Sequence, residues 1–311
     1  MNTTYSPLVS VIVPNYNHAQ YLETRFNSIL AQDYQNIEII ILDDNSTDDS
    51  LKIINKYKNN PLVSQLIISE NNSGSTFKQW EKGIKQAKGD IIWIAESDDS
   101  CSPHLLSKLI EKYYKENAVL AFCRSSLIDE LGNVTSTRFQ NCFNGSFSMD
   151  GKQFIKNFLA YGNPIYNTSS VIFDKKAVLS INNSYTFLKG SGDRLLWILL
   201  SEKGNVSFLD ENHNYFRIHG NNTTTSLNKR GINIKESKYI FDYMISQKLI
   251  SLEQSRQIRK NKLWYILQQK FEDKNLEKKM LKLWGANYKF YTKLFLLKIY
   301  YKLLRIKNVK I

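Results

Sequence analysis

The 311-residue sequence predicts an α/β fold, in which one sheet is flanked by helices and followed by a basic helical extension. Short apolar runs alternate with amphipathic segments over residues 8–95, and this order is typical of a parallel sheet with right-handed crossovers. Two of the runs end on paired carboxylates, Asp43-Asp44 and Asp98-Asp99. Because ligands of open α/β sheets bind beyond the carboxyl ends of the strands, these pairs indicate a polar binding cleft.

The first half of the chain contains a regular series of elements. Apolar, β-branched runs of strand length alternate with stretches that carry apolar residues at helical spacing. The runs predict strands at 8–14, 37–42, 62–68, 91–95 and 119–124, and the periodic stretches predict helices at 19–32, 50–57, 77–87 and 103–116. The strands are largely apolar, as expected when helices cover both faces of a parallel sheet.

The second half of the chain is less regular. Residues 129–149 are rich in Gly, Asn, Ser and Thr, and the turn signal Leu131-Gly132-Asn133 predicts a hairpin followed by a loop. Three further strands are predicted at 169–173, 206–209 and 214–218, together with a helix from Gly190 to about Lys203.

Cysteine usage and the N-terminus favour a cytoplasmic protein. Cys101, Cys123 and Cys142 have no metal-ligand spacing and leave an odd thiol in any pairing scheme, which favours a reducing compartment. No apolar stretch has the length of a signal peptide or of a membrane-spanning helix.

The net charge of +13 is unevenly distributed. Residues 226–311 contain 21 Lys and Arg against 6 Asp and Glu, whereas residues 1–225 contain 21 against 23. This asymmetry predicts two domains: a near-neutral catalytic or binding domain over 1–225, and a basic segment over 226–311 that meets an anionic surface.

Asp98 and Asp99 are candidate ligands of a divalent cation. They follow a buried strand, and Mg²⁺ is typically held by one or two carboxylates together with substrate phosphates. The pair therefore predicts a site for a metal ion and a nucleoside diphosphate. In the alternative interpretation, the two carboxylates cap the helix that begins near Pro103.

Other candidate site residues also have a functional and a structural interpretation. Asp44, at the end of its strand, could accept a hydrogen bond from a base or a ribose. Lys78 could contact a phosphate or be a surface lysine. Arg217 and His219 lie on one face of a strand, where they could bind phosphate and metal. Asp193 could equally be a capping carboxylate in the first turn of its helix.

Five motifs, in the right order over residues 7–225, together resemble a family-2 glycosyltransferase. They are Val9 to Asn17 (Val-Ser-Val-Ile-Val-Pro-Asn-Tyr-Asn), Asp43 to Asp48 (Asp-Asp-Asn-Ser-Thr-Asp), Glu96-Ser97-Asp98-Asp99 as the counterpart of the DXD signature, Gly192-Asp193, and Tyr215-Phe216-Arg217-Ile218-His219. The resemblance implies the GT-A fold, a Rossmann-like mixed sheet flanked by helices. It also implies sugar transfer from a nucleotide-diphosphate donor, a UDP-sugar, to a glycan or lipid-linked acceptor in cell-surface polysaccharide biosynthesis.

The resemblance assigns the nucleotide to residues at the strand ends. Pro14 and Tyr16 would line the pocket, with Tyr16 against the base, and Asp44 would accept a hydrogen bond from the base edge. Asp98 would face the ribose. Lys78 would be a further nucleotide contact, although the usual Ala-Arg-Asn is missing from its loop.

The resemblance also implies a metal ion and a general base. Asp99 would bind the Mn²⁺ or Mg²⁺ ion that bridges the diphosphate, and His219 with Arg217 would steady the diphosphate and the ion. Such an ion neutralises the charge that develops on the leaving group. Asp193 would take the proton of the acceptor hydroxyl, and a single base with in-line attack gives inversion.

Two departures from the family pattern support an alternative function. Ser97 and Gly192 stand where the family has acidic residues, which is consistent with a noncatalytic nucleotide-sugar or glycan-binding module of the same fold. The Gln-x-x-Arg-Trp motif of processive synthases is missing from the sequence, which favours addition of one sugar per acceptor.

The last 77 residues predict helices with a membrane-binding face. Lys298, Lys302 and Arg305 lie beside an apolar face, a pattern typical of a helix at an anionic lipid surface. We expect the protein at the inner face of the plasma membrane. The alternatives are packing on the catalytic domain or on a second protomer. Nucleic-acid binding is disfavoured because the aromatic residues lie among aliphatic ones, and the oligomeric state is open.

Overall fold

The computed structural model describes residues 6–137, 142–219, 223–287, 290 and 292. The chain divides into two compact units, Met1–Asn222 and Thr223–Ile311. In the first unit the strands are β1 (Val9–Asn15), β2 (Ile37–Asp43), β3 (Val63–Ile68), β4 (Ile91–Ile94), β5 (Ser100–Cys101), β6 (Ala118–Ile128), β7 (Val134–Ser136), β8 (Phe147–Met149), β9 (Val171–Asp174) and β10 (Asn205–Arg217). Its helices are α1 (Ala19–Leu30), α2 (Ser50–Tyr57), α3 (Thr76–Gln86), α4 (Leu105–Lys115), α5 (Gly151–Phe154), α6 (Lys175–Ser180) and α7 (Gly192–Ser201).

The strands described in the first unit form one mixed sheet. Its main order is β3-β2-β1-β4-β9-β6-β10-β5, with β7 paired to β6 and β8 paired to β10. The pairs β3-β2, β2-β1 and β1-β4 are parallel, as the strand-helix alternation predicts. β9 lies antiparallel between β4 and β6, so the sheet is mixed beyond its first four strands.

Helices cover both faces of the sheet, as its largely apolar central strands require. Every residue of β1 and β2 is buried. The core on one face includes Phe26 and Leu22 of α1, Leu105 and Leu109 of α4, and Trp93 of β4. The apolar spacing that predicts α1 and α4 is therefore the spacing with which these helices pack on the sheet.

The structure differs from the sequence prediction in the second half of the unit. The two strands predicted at 206–209 and 214–218 are one strand, β10, with irregular register between Leu209 and Asn214. Helix α5 continues as a π-helical turn at Ile155–Leu159, and 3₁₀ turns occupy Thr168–Ser170 and Ser184–Phe187. These segments are too short for periodicity to identify them.

The second unit is helical where it is described. It contains α8 (Thr223–Lys229), α9 (Ile232–Ser246), α10 (Leu252–Gln268) and α11 (Lys274–Leu283). Its core includes Trp284, whose ring centroid lies 5.2 Å from that of Phe241. The helices described in the structure include none with the length and apolar character needed to cross a membrane. The predicted lipid-facing residues Lys298, Lys302 and Arg305 lie outside the described residues.

Candidate active site

Two loops at the carboxyl ends of β1 and β2 hold each other in place. Asn15 donates from Nδ2 to Asp43 over 2.8 Å, and Oδ1 of Asn17 accepts from the backbone N–H of Thr47 over 2.7 Å. Asn17 has a φ of 56°, a left-handed conformation that Asn tolerates better than most residues. The backbone N–H of Ala19 donates to Asp48 over 2.9 Å. Asp43 and Asp48 therefore fix the loop that carries Tyr16 and His18.

The residues predicted to contact the nucleotide lie in different surroundings. Pro14 is buried in β1, whereas Tyr16 is 44% exposed beyond the strand and presents its ring to solvent. Asp44 is buried and accepts hydrogen bonds from Ser73, at 2.7 Å from its hydroxyl, and from Gln79, at 2.5 Å. Its carboxylate thus holds the loop before α3. Lys78 is exposed on that helix.

Asp99 is buried and accepts three hydrogen bonds from within the protein. Its Oδ2 accepts from the hydroxyl of Ser169 at 2.6 Å and from Nδ2 of Asn167 at 2.8 Å, and its Oδ1 accepts from the backbone N–H of Arg217 at 3.0 Å. The role of Asp99 as the main metal ligand stays a prediction. The carboxylate joins β4 to β10 and to the segment before β9.

Asp98, in contrast to Asp99, lies beside the imidazoles of His219 and His18. His219 Nε2 is 3.1 Å from Asp98 Oδ2, and the ring centroids of His18 and His219 are 5.8 Å apart. One ligand atom from each of these three residues lies within 4.8 Å of the others, and all three side chains are half-buried. Asp98, His219 and His18 therefore form a group that could hold a divalent ion, and the structure brings together two of the predicted residues with one that was not predicted.

Arg217 stabilises the backbone next to this group. Its Nε donates to the carbonyl of Asp98 over 2.7 Å, and its Nη1 donates to the carbonyls of Asp129 and Glu130 over 2.8 and 3.0 Å. The guanidinium carbon lies 4.6 Å from the ring centroid of Tyr21. Arg217 is buried and donates to backbone carbonyls, and its contact with the diphosphate stays a prediction.

Asp193 lies in the first turn of α7, as predicted. Its Oδ2 accepts from Nδ2 of Asn163 over 2.7 Å, and its Oδ1 accepts from the backbone N–H of Arg194 over 2.7 Å. The Arg194 guanidinium is buried and donates to the carbonyls of Leu159 and Ala160. The carboxylate is half-buried and is held at the start of the helix by its neighbours.

Helix α3 reaches both acidic regions of the site. Trp80 donates from Nε1 to Glu96 over 2.7 Å. Phe77 is so close to Gly192 that a Cβ at that position would lie 2.6 Å from its ring. The Phe77 and Trp80 rings pack edge to face, with centroids 4.9 Å apart. One helix thus positions the end of β4 and the start of α7.

Burial and mutual repulsion shift the pKa values of the acidic residues. Burial, with the charges of Asp98 and Asp99, raises the pKa of Glu96 to about 8. Burial and the charge of Asp98 raise the pKa of Asp99 to about 6. Burial opposes the charge on Asp98, but the hydrogen bond from His219 and the nearby His18 hold its pKa below the usual value. Of these three carboxylates, Asp98 therefore favours the ionised form most strongly.

The two imidazoles shift in opposite directions. The hydrogen bond to Asp98 raises the pKa of His219 above its usual value. Burial lowers the pKa of His18, although the charge of Asp98 acts against this shift. His18 therefore favours the neutral form, in which an imidazole nitrogen can bind a metal.

Sequence reasoning missed His18, Glu96 as an individual residue, and Asn163. A single His in a loop has no spacing that identifies its partners, because His18 and His219 are 201 positions apart in the chain and meet through the sheet. Asn163 precedes Pro164 in a loop, which is a turn signal and not a functional one. For Glu96 the sequence did offer a signal, the Glu-x-Asp spacing of Glu96 and Asp98.

A family model described as Glycosyl transferase family 2 matches residues 10–180. The chain is 30% identical over 223 residues to an Escherichia coli protein named UDP-Glc:alpha-D-GlcNAc-diphosphoundecaprenol beta-1,3-glucosyltransferase WfaP, covering 70% of this chain and 80% of that one. It is 32% identical over 130 residues to the putative teichuronic acid biosynthesis glycosyltransferase TuaG of Bacillus subtilis, covering 42% of this chain. That alignment spans about half of TuaG, 51% of its length.

Two solved structures have a similar fold. A crystal structure of Staphylococcus aureus TarS 1-349 in complex with UDP-GlcNAc matches with a TM-score of 0.59 and 20% identity, covering 91% of this chain and 71% of that chain. The mannosyltransferase PcManGT of Pyrobaculum calidifontis, in complex with GDP-Man and Mn²⁺, matches with a TM-score of 0.59 and 14% identity, covering 95% and 81%. At these identities the likeness concerns the fold.

Proposed function

Because the chain belongs to glycosyl transferase family 2, we propose that it transfers one sugar from a UDP-sugar to a glycan or lipid-linked acceptor of a cell-surface polysaccharide. The observation that carries the proposal is the pairing of Asp98, beyond the end of β4, with His219, whose Nε2 lies 3.1 Å from Asp98 Oδ2. Named relatives include a glucosyltransferase and a poly(ribitol-phosphate) beta-N-acetylglucosaminyltransferase. UDP-glucose and UDP-N-acetylglucosamine are therefore the first donors to test.

The donor atoms of Asp98 and His219 fit a divalent ion, Mn²⁺ or Mg²⁺. In an octahedral site with ligands at about 2.1 Å, neighbouring ligand atoms lie about 3.0 Å apart. His219 Nε2 and Asp98 Oδ2 are 3.1 Å apart, which is close to this separation. Such an ion, when bound, would neutralise charge on the departing diphosphate. Asp99 and Arg217 would keep the ligands in position through the hydrogen bonds described above.

Asp193 is proposed as the general base of an inverting transfer. Its carboxylate is half-buried, and Asn163 and the N–H of Arg194 orient it. Removing the proton from an attacking hydroxyl requires one correctly placed carboxylate on the side opposite the leaving group. Asp193 would supply that group, and Tyr16, with its exposed ring, would stack on the base of the donor. Asp44 and Lys78 would border the same pocket.

The test is thermal unfolding of the wild type and of Asp98→Ala with UDP-sugars, with and without Mn²⁺. Ligand binding to the native state raises the midpoint by mass action. The proposal expects one UDP-sugar to raise the midpoint only when Mn²⁺ is present, and expects this shift to be lost in Asp98→Ala. A donor shift that is equal with and without Mn²⁺ would contradict metal dependence.

Turnover separates catalysis from binding alone. Asp193→Asn should retain the donor-induced shift and lose sugar transfer. If the wild type binds a UDP-sugar and neither hydrolyses nor transfers it with any acceptor tried, the noncatalytic binding module becomes the better explanation. The anomeric configuration of the product, determined by NMR, then tests inversion.

We further propose that the basic C-terminal unit holds the protein at the cytoplasmic face of the membrane. Within that unit, Arg256, Arg259 and Lys260 line a cleft of about 520 Å³ together with Leu263, Trp264, Gly285, Asn287 and Phe290. Cationic heads beside aromatic rings suit an anionic lipid surface. The triple variant of Lys298, Lys302 and Arg305 to Glu should lose co-sedimentation with anionic liposomes, and unchanged co-sedimentation would contradict the proposal.

A further inference from the structure

We propose that His18 is a protein ligand of the divalent ion, so that two imidazoles and one carboxylate hold it. This inference rests on the metal dependence proposed above and assigns a role to a loop residue outside the five sequence motifs. Its consequence is metal selectivity. Imidazole ligands suit first-row transition metals, among which Mn²⁺ binds most weakly, whereas Mg²⁺ prefers oxygen ligands and keeps several waters, so a second imidazole favours Mn²⁺ over Mg²⁺.

The backbone around His18 is fixed before any ion binds. The preceding residue, Asn17, is held by the N–H of Thr47, and the following residue, Ala19, donates its own N–H to Asp48 over 2.9 Å. Both flanking residues are thus anchored to the loop after β2. A ligand on such a loop needs little ordering when the metal arrives, which favours affinity.

The ring of His18 is oriented by a hydrogen bond at its other nitrogen. Nδ1 lies 2.8 Å from the hydroxyl oxygen of Ser97, which is buried. If Nδ1 carries the proton and donates it to Ser97, Nε2 has a free lone pair. Metal-binding imidazoles usually donate their second N–H in this way, which fixes the tautomer and the ring plane. Ser97 thus has a positioning role between Glu96 and Asp98.

The imidazoles of His18 and His219 both pack against the ring of Tyr21. The ring of Tyr21, which is buried, lies 6.1 Å from that of His18 and 5.7 Å from that of His219, measured between centroids. His18 and His219 meet edge to face with an interplanar angle of 76°. With Asp98, their ligand atoms span at most 4.8 Å, slightly more than the about 4.2 Å between opposite ligands of an octahedral ion.

The direct test is Mn²⁺ binding to the full chain without nucleotide, measured from the EPR signal of free Mn²⁺. The variants are His18→Ala and Asp98→Ala, with His104→Ala as control because His104 is an exposed histidine that pairs with Asp33. His18→Ala should weaken Mn²⁺ binding by at least about tenfold, because loss of a mere hydrogen-bond partner of a metal ligand already costs about 10- to 100-fold. Mg²⁺ affinity, measured by competition, should change less than about threefold. His104→Ala should bind both ions as the wild type does.

A spectroscopic measurement on the wild type does not depend on how well a variant folds. Pulsed EPR of bound Mn²⁺ reports couplings to coordinated imidazole nitrogen. Two imidazoles are expected in the wild type and one in His18→Ala. One imidazole in the wild type would overturn the proposal.

The Asp98→Ala variant separates the assignment of His18 from the proposed metal site itself. If Asp98→Ala loses Mn²⁺ binding while His18→Ala retains wild-type affinity, the assignment of His18 fails and the proposed metal site stands. If both variants bind Mn²⁺ as the wild type does, the metal site itself fails, and the assignment of His18 fails with it.

Discussion

Asn163 donates a hydrogen bond from Nδ2 to Oδ2 of Asp193 over 2.7 Å. Four residues later in the same segment, Asn167 donates to Asp99 over 2.8 Å. The stretch from Asn163 to Ser169 therefore contacts both the carboxylate proposed as general base and the carboxylate that fixes the end of β4. A short irregular segment thus couples the two halves of the proposed active site.

The first prediction concerns the hydrogen bond from Asn163 to Asp193. Asn163→Ala should lower kcat by about tenfold with little change in KM, because the base loses orientation while the donor pocket is untouched. Asp193→Asn should lower kcat by about 10²- to 10⁴-fold. Steady-state kinetics with the identified donor and acceptor measure both effects. Asn36→Ala is the control, because its side chain donates to Ser6 at an exposed position. A rise in KM alone would contradict the orienting role.

The second prediction separates the two neighbouring carboxylates. Asp99→Asn places an amide opposite N–H and O–H donors in a buried site, and should lower the free energy of unfolding by about 2–3 kcal/mol. Asp98→Asn should change it by less than about 1 kcal/mol and should weaken Mn²⁺ binding instead. Urea denaturation without metal, combined with Mn²⁺ titration, checks both. Equal destabilisation by the two substitutions would contradict this division of roles.

The third prediction concerns Gly192, the first residue of α7 and the neighbour of Asp193. A Cβ at position 192 would lie 2.6 Å from the Phe77 ring and 2.6 Å from the carbonyl oxygen of Tyr185. Gly192→Ala should therefore lower the free energy of unfolding by about 1–3 kcal/mol, although Ala is the better helix former. Thermal or urea unfolding measures the change.

Gly162→Ala is the matched control for that substitution. A Cβ at position 162 would meet no heavy atom within 4 Å, so this variant should unfold as the wild type does. If Gly192→Ala is as stable as Gly162→Ala, Phe77 and the Tyr185 carbonyl are not the reason for the glycine.

The fourth prediction is a pH dependence at the opposite end of the sheet. Glu38 is buried and accepts from the Ser10 hydroxyl over 2.6 Å and from the N–H of Lys88 over 2.5 Å. Burial opposes its charge, but the hydrogen bonds, first that from Ser10, hold the pKa of Glu38 below its ordinary value of 4.5. Its contribution to stability is therefore present above pH 4.5 and is lost as the pH falls through the folded-state pKa.

Glu38→Gln should accordingly lower the free energy of unfolding by about 2 kcal/mol at pH 7. The difference from the wild type should shrink as the pH falls below about 4. Urea denaturation at a series of pH values measures it, with the exposed Glu111→Gln as control. A difference that stays constant between pH 7 and pH 3 would show that the charge of Glu38 plays no part.

The sequence by itself determined the family and the succession of strands and helices in the first half of the chain. The family match over residues 10–180 and the likeness of fold confirm the predicted identification as a family-2 glycosyltransferase of GT-A fold, and the motifs at Gly192-Asp193 and at Tyr215 to His219 lie beyond the matched residues. Helix α2 has the predicted limits, Ser50–Tyr57, because apolar residues at helical spacing must face the sheet. The predicted hairpin also formed, with β7 antiparallel to β6. Local periodicity was sufficient for these elements.

Only the tertiary structure decided which side chains meet. Asp98 and Asp99 are adjacent and chemically identical, but their surroundings differ. Asp98 is half-buried beside His219 and His18, whereas Asp99 is buried among Asn167, Ser169 and the backbone of Arg217. His18 joins His219 because β1 and β10 belong to the same sheet. Spacing along the chain identifies residues that share a helix or a strand, but a binding site forms where distant strand ends converge, and that convergence depends on the packing of the whole sheet.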